Sequence, residues 1–279
     1  MINKKSLTDT EKANKIYHDI IAKDYEKDIT TKELFNLSGV CRKRVDLLLS
    51  IISNKKGLCL DLGCGTGWIG ELSKKYFKLT AGLDISYGML IEAKKKNLKL
   101  VQANINRMPF KDNTFDAVVA FSVMHHLENL KDTVHNIYHI LKKGGWFYSD
   151  WDFNMLYYKT FPLWLWLKRL VKSSKVLFYI VVCILAFFNF RKASVVRYRQ
   201  YHNFMLAEYH ANKNSGLDPE YLEKLLTDAG FNKVLIFFHN NTVKFDNPEP
   251  LLIDRLLHFN FKNLKPSECC RYIMILAQK

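Results

Sequence analysis

The stretch Cys59–Gly67, CLDLGCGTG, constrains this chain more than any other part of it. Leu58–Leu62 is an apolar run broken only by Asp61, the pattern of a parallel strand buried on both faces. Gly63, Gly65 and Gly67 follow, and then an amphipathic run, Trp68–Tyr76, that reads as a helix. Glycines at that spacing let the backbone turn sharply after a strand, approach a ligand closely and pack the next helix on the sheet. About twenty residues further on, the run Leu79–Leu83 ends in Asp84, an acid placed to accept hydrogen bonds from a ribose. The combination predicts a Rossmann-like nucleotide site, and at this level a dehydrogenase fits it too.

The pattern on either side alternates strand and helix. Strands are predicted at 58–62, 80–84, 99–103, 116–121 and 145–150, with helices at 66–76, 86–97, 129–142 and 218–229. Asp218, Pro219 and Glu220 open the last helix with a cap, a first-turn proline and an acid at the positive end of the dipole. Gly230 closes it. Two strands at 233–239 and 270–277 would add an antiparallel end, with a helix at Glu249–His258 between them. Helices are also expected at Lys15–Lys27 and Cys41–Ile52. The expected architecture is α/β, a Rossmann-like doubly wound sheet with an antiparallel final strand and a hydrophobic, mostly helical insertion. Its parts are an N-terminal helical cap (1–53), a nucleotide-binding core (54–150), the insertion (151–217) and a completion of the core sheet (218–279).

Charge singles out the insertion. The chain of 279 residues carries a formal net charge of +15, and nine of its lysines and arginines fall between Phe153 and Ala207, where there is no acid. Such a block seeks phosphate, in a nucleic acid or an anionic lipid surface. The same segment holds WLWLKRLVKSSKVLFYIVVCILAFFNFRK, whose apolar core Val176–Phe188 falls short of the ~20 residues that a spanning helix needs. It reads as a lid, a dimer face or a membrane-surface element ahead of a true span. Six cysteines show no metal-ligand spacing, so no metal is expected and a reducing cytoplasm fits. The polar start MINKKSLTDTEK does not resemble a signal peptide.

Several further motifs stand in a fixed order: GLDIS (Gly82–Ser86) with Met89 a turn later, QANINRMPF (Gln102–Phe110), NTFDAVVAFSVMHHL (Asn113–Leu127) and LKKGGWF (Leu141–Phe147). Together with LDLGCGTG they resemble the class I S-adenosylmethionine-dependent methyltransferases, the group labelled methyltransferase domain 11. The resemblance implies S-adenosyl-L-methionine as cofactor, with Gly63 and Gly65 against its methionine part and Asp61 orienting that loop. It implies Asp84 on the ribose, and Ile85, Met89, Asn104, Ile105 and Phe121 around the rest of the cofactor. Asn104 departs from the family's usual aspartate, which accepts from the adenine amino group. Exchanging Asn104 for Asp is therefore expected to tighten binding. Tyr17 and Tyr25, in the N-terminal helix, are placed over the pocket.

The sulfonium of that cofactor is an activated methyl donor, so alignment and exclusion of water are the main tasks, and a base matters only for a protonated acceptor. His125, Tyr209 and His210 are the catalytic candidates, with His126 read as a packing residue. The aromatic insertion suits a small lipophilic acceptor better than RNA, so nucleic acid ranks second despite the charge. A peripheral attachment to the cytoplasmic face of an anionic membrane, a homodimer and a catalytically inactive partner subunit stay open.

Overall fold

The computed structural model describes residues 6–27, 39–156, 207, 216–239 and 272–279. Among them seven strands form one sheet in the order β3-β2-β1-β4-β5-β7-β6. In chain order these are β1 (Asn54–Leu62), β2 (Phe77–Asp84), β3 (Lys99–Gln102), β4 (Phe115–Phe121), β5 (Leu141–Phe153), β6 (Lys233–His239) and β7 (Tyr272–Gln278). The first five run parallel, and β7 lies antiparallel between β5 and β6. The strand order reverses between β1 and β4, so the loops after those strands diverge and leave a crevice at their carboxyl ends.

The helices are α1 (Asp9–Ile21), continued by a 3-10 turn over Ala22–Lys27, α2 (Val40–Ile51), α3 (Trp68–Ser73), α4 (Tyr87–Lys94), α5 (Leu130–Ile140) and α6 (Pro219–Ala229). Alternation along β4 feeds two cores: Val118 and Ala120 pack with Val134, Ile137, Leu222 and Leu226 on one face. Ala117 and Val119 pack with Val45, Leu49, Trp68 and Ile69 on the other. Asp218 accepts from the Glu220 and Tyr221 amides, and Gly230 adopts φ 106° at the helix end.

The largest departures from the expected boundaries fall at three elements. Helix α1 begins at Asp9, because Thr8 and Glu11 close a capping box in which each side chain takes the other's main-chain N–H. Strand β1 starts at Asn54, where the exposed residues Lys55 and Lys56 hide the strand from an apolar reading. Strand β5 takes over at Leu141 and continues past Asp150, where the pairing with β7 shifts register and Trp151 adopts φ 67°. The expected helix at Glu249–His258 and the body of the insertion lie outside the described residues. Among the described residues, no helix is long and apolar enough to cross a membrane.

Candidate active site

A cleft of about 790 Å³, counting its open mouth, lies over the switch point. Its floor comes from the loops after β1, β2, β3 and β4, and α1 forms the opposite wall through Thr10, Glu11, Asn14 and His18. Gly63 and Gly65 take φ 66° and 50°, left-handed values that a side chain would strain. A Cβ on Gly63 would stand 2.7 Å from a Val123 methyl, whereas one on Gly65 would meet nothing within 4 Å. Gly63 is thus required by packing, and the backbone at Gly65 borders open space.

Asp84 ends β2 and holds this loop. Its Oδ2 accepts from the Gly65 amide at 2.8 Å and its Oδ1 from the Ser86 amide at 2.8 Å. Burial raises its pKa, while the Ser86 and Gly65 amides and the nearby His18 favour the ionised form. Asp61, on β1, lies beneath and accepts from the Gly70 amide at 2.7 Å. Burial, with Asp84 as a like-charged neighbour, pushes its carboxyl up to about 7 against that amide's pull. Asp61 borders a smaller recess that shares Tyr25, Gly63, Gly65, Phe121 and Ser122 with the main cleft.

Of the residues named from sequence, Tyr25, Gly63, Gly65, Asp84, Ile85, Met89, Asn104, Ile105 and Phe121 meet in the main cleft. Tyr17 does not. It is 2% exposed and packs under the cleft with Ile21, Met89 and Ala207, because the helical repeat turns it inward and turns the next residue, His18, to the wall.

The neighbouring histidines, His125 and His126, take different places relative to the cleft. His125 is buried, with its Nδ1 2.8 Å from Asp152 Oδ1 and its main-chain amide on the same oxygen at 3.1 Å. Asp152 in turn accepts from the Ser149 hydroxyl at 2.7 Å, so this pair belongs to the packing between β5 and the turn after β4. His126 lines the cleft instead. Its Nδ1 stands 2.9 Å from the Ala207 carbonyl oxygen, and His18 Nδ1 stands 2.9 Å from the Asn14 carbonyl oxygen. A carbonyl only accepts, so both rings carry a proton on Nδ1, and a ring that is neutral has its acceptor at Nε2. The two rings meet edge to face at 5.5 Å. Tyr209 and His210 lie outside the described residues.

Sequence reasoning missed Glu11, Asn14 and His18, all from α1. The spacing Thr8-x-x-Glu11 is a capping signal and could have carried the helix back far enough to include Glu11 and Asn14, whereas His18 lies within the expected Lys15–Lys27 helix. Three carboxylates of this segment each reach a different loop of the cleft. Glu11 Oε1 accepts from Asn106 Nδ2 at 3.3 Å. Asp19 Oδ1 takes the Ser86 hydroxyl and the Gly88 amide, at 2.7 and 2.8 Å. Glu26 takes the Thr66 hydroxyl at 2.7 Å.

A seven-stranded α/β sheet with an antiparallel penultimate strand and a glycine-lined cleft at its switch point defines the Rossmann-like methyltransferase class. Residues 60–149 match the family model of the methyltransferase domain, and this core is a class I S-adenosylmethionine-dependent methyltransferase domain. The chain is 43% identical over 104 residues to an uncharacterised protein of Methanocaldococcus jannaschii, covering 37% of this chain and 44% of that one. It is 34% identical over 96 residues to the ubiquinone/menaquinone biosynthesis C-methyltransferase of Desulfotalea psychrophila, covering 32% and 39%. The chain thus spans less than half the length of each. In fold it is similar to phosphoethanolamine N-methyltransferase 2 of Haemonchus contortus in complex with S-adenosyl-L-methionine. That TM-score is 0.59, at 15% identity over 99% of this chain and 61% of the other.

The cofactor of this domain is S-adenosyl-L-methionine, and the residues present fit it. The cleft has open space over the Gly65 backbone, a carboxylate at Asp84, apolar walls from Ile85, Met89 and Ile105, and a buried Asn104 Nδ2 that makes no hydrogen bond.

Proposed function

We propose that this protein transfers a methyl group from S-adenosyl-L-methionine to a small lipophilic acceptor at a membrane surface. The observation that carries the methyltransferase reading is the Asp84 clamp on Gly65 at the mouth of an apolar cleft. In this reading Asp84 holds the ribose hydroxyls, the Gly63–Gly65 backbone faces the methionine part, and Ile85 and Met89 flank the adenine. When bound, the cofactor supplies an already activated methyl group. The chain's task is then to align the acceptor and exclude water, which α1 does by closing over the cleft. His126 stands at the rim of the cleft as proton acceptor for a hydroxyl or amino acceptor, with His18 beside it. His125 supports the turn from behind.

Two observations favour the lipophilic acceptor. The insertion is rich in tryptophan and phenylalanine, and one relative acts in quinone biosynthesis. Its acid-free basic block supports attachment to an anionic surface, where each cation contributes roughly 1 kcal/mol. Titration calorimetry with S-adenosyl-L-methionine tests the first part: binding is expected, and Asp84→Ala should weaken it about ten- to a hundredfold. Absence of binding would favour the inactive partner subunit. Cosedimentation with anionic vesicles at low salt tests the second. Binding that is weaker to neutral vesicles and partly released by salt supports attachment, whereas protein left in the supernatant overturns it.

A further inference from the structure

Outside the cleft, α5 carries two histidines one helical turn apart. His135 and His139 stand at i and i+4 and therefore share a side of the helix. Their Nε2 atoms lie 3.0 Å apart, and the ring centroids 4.4 Å apart with the planes at 67°. The opposite side of the helix is fixed, because Val134 and Ile137 are buried in the core. Its last turn is tied to the loop before β4, whose Asn113 and Thr114 amides donate to the His139 and Ile140 carbonyls at 2.9 and 2.8 Å. The same loop carries Asp112, and its Oδ2 stands 3.4 Å from His139 Nδ1. A carboxylate there favours a proton on Nδ1, which leaves the lone pair of a neutral His139 on Nε2, toward His135. The His139 side chain is 45% exposed, so an ion can reach the pair from solution.

Two imidazole nitrogens brought together at this helical spacing form a chelate for a divalent metal. With metal–nitrogen bonds of about 2.0–2.1 Å, nitrogens 3.0 Å apart subtend about 90–97° at the ion. That is the angle between neighbouring ligands of a square or octahedral ion, not the ~109° of tetrahedral zinc. Among the described residues, no group of three or more histidine, cysteine or acidic side chains could hold a metal, so the remaining positions of such an ion fall to water. We propose that His135 and His139 form a surface site for a first-row divalent metal of tetragonal preference, copper(II) ahead of nickel(II), with Asp112 as the partner that orients His139. The end of α5 adds the negative pole of the helix dipole, which also favours a cation. When the ion binds, a neutral His135 carries its proton on Nδ1 in place of Nε2, so both rings ligate without a net loss of protons. The site is separate from the cofactor cleft and does not depend on the reading of it.

The test is calorimetry on the full chain without a histidine tag, titrated with nickel(II), copper(II) and zinc(II) in turn. Each of His135→Ala and His139→Ala should remove one equivalent of nickel. Neither side chain is buried, so the thermal midpoint without metal should stay the same in both variants. Nickel should raise the midpoint of the unaltered protein more than theirs. Loaded with one equivalent of copper, the unaltered protein should show two coordinating nitrogens by electron paramagnetic resonance, and each variant one. Asp112→Asn should weaken nickel binding about tenfold and keep the stoichiometry. An equivalent that survives in both alanine variants would be an adventitious ion only and would overturn the site, as would zinc bound more tightly than copper. Unchanged nickel affinity in Asp112→Asn would overturn the orienting role of that carboxylate.

Discussion

The Asp19 carboxylate accepts the Ser86 hydroxyl at 2.7 Å, tying the N-terminal helix to the loop that leaves Asp84. The same oxygen takes the Gly88 amide in the first turn of α4, and Lys15 lies 2.7 Å from the other. Burial opposes ionisation of Asp19, yet the bonds from Lys15, Ser86 and Gly88 hold its pKa below the ordinary value. The residues that grip one side of the cleft and those that cover it are thus one hydrogen-bonded unit.

Asp19→Ala should therefore speed release of S-adenosylhomocysteine more than it lowers the stability of the core. A loss of about tenfold in affinity, carried by the dissociation rate, is the expected size for a charge-assisted contact. Stopped-flow dissociation together with the thermal midpoint checks this. An unchanged dissociation rate would mean that α1 is static.

Arg44 and Asp150 predict a different loss. Both are fully buried, with Nε to Oδ2 at 2.9 Å and Nη2 to Oδ1 at 3.3 Å, and Asp150 also accepts from Tyr148, His239 and the Trp151 amide. Arg44→Ala removes the fixed countercharge of that carboxylate and should cost roughly 3–5 kcal/mol in urea unfolding, of which Arg44→Ala/Asp150→Ala should recover part.

Acid should act on the same pair. Burial disfavours the Asp150 charge, but Arg44 and then His239 outweigh it and hold its carboxyl well below the usual range. A depressed folded-state pKa contributes stability that is present above the unfolded value near 4 and lost as pH falls further. Urea midpoints measured from pH 6 down to pH 3 should show that loss, and Asp150→Ala should flatten it.

Asp61 works in the opposite sense. Its folded pKa of about 7 lies above the unfolded value, so the contribution is fully present below that unfolded value and is lost as pH rises toward 7. Asp61→Asn keeps an acceptor for the Gly70 amide and removes the buried charge. Its stability relative to the unaltered protein should improve from pH 5 to pH 8, by on the order of 1 kcal/mol per pH unit while the group titrates. A pH-independent difference would show that Asp61 is ionised throughout.

The sheet, the glycine loop and Asp84 were legible in the sequence because each depends on residues close together in the chain. Strand periodicity, turn glycines and an acid at a strand end are local requirements of backbone geometry. Which side chains face the cleft was decided by contacts that no local pattern contains. Asp152 draws His125 into the interior from 27 residues away and leaves His126 at the rim. Arg44 reaches Asp150 across 106 positions, turning an apparent strand-end acid into the anchor of α2. Glu11 meets Asn106 across 95 positions, which brings a carboxylate from another element to the turn that Asn104 opens. The motifs sufficed for the class of cofactor because a nucleotide needs a turn and an acid at fixed spacing. Packing of α1 against the loops settled the composition of the cleft's other wall.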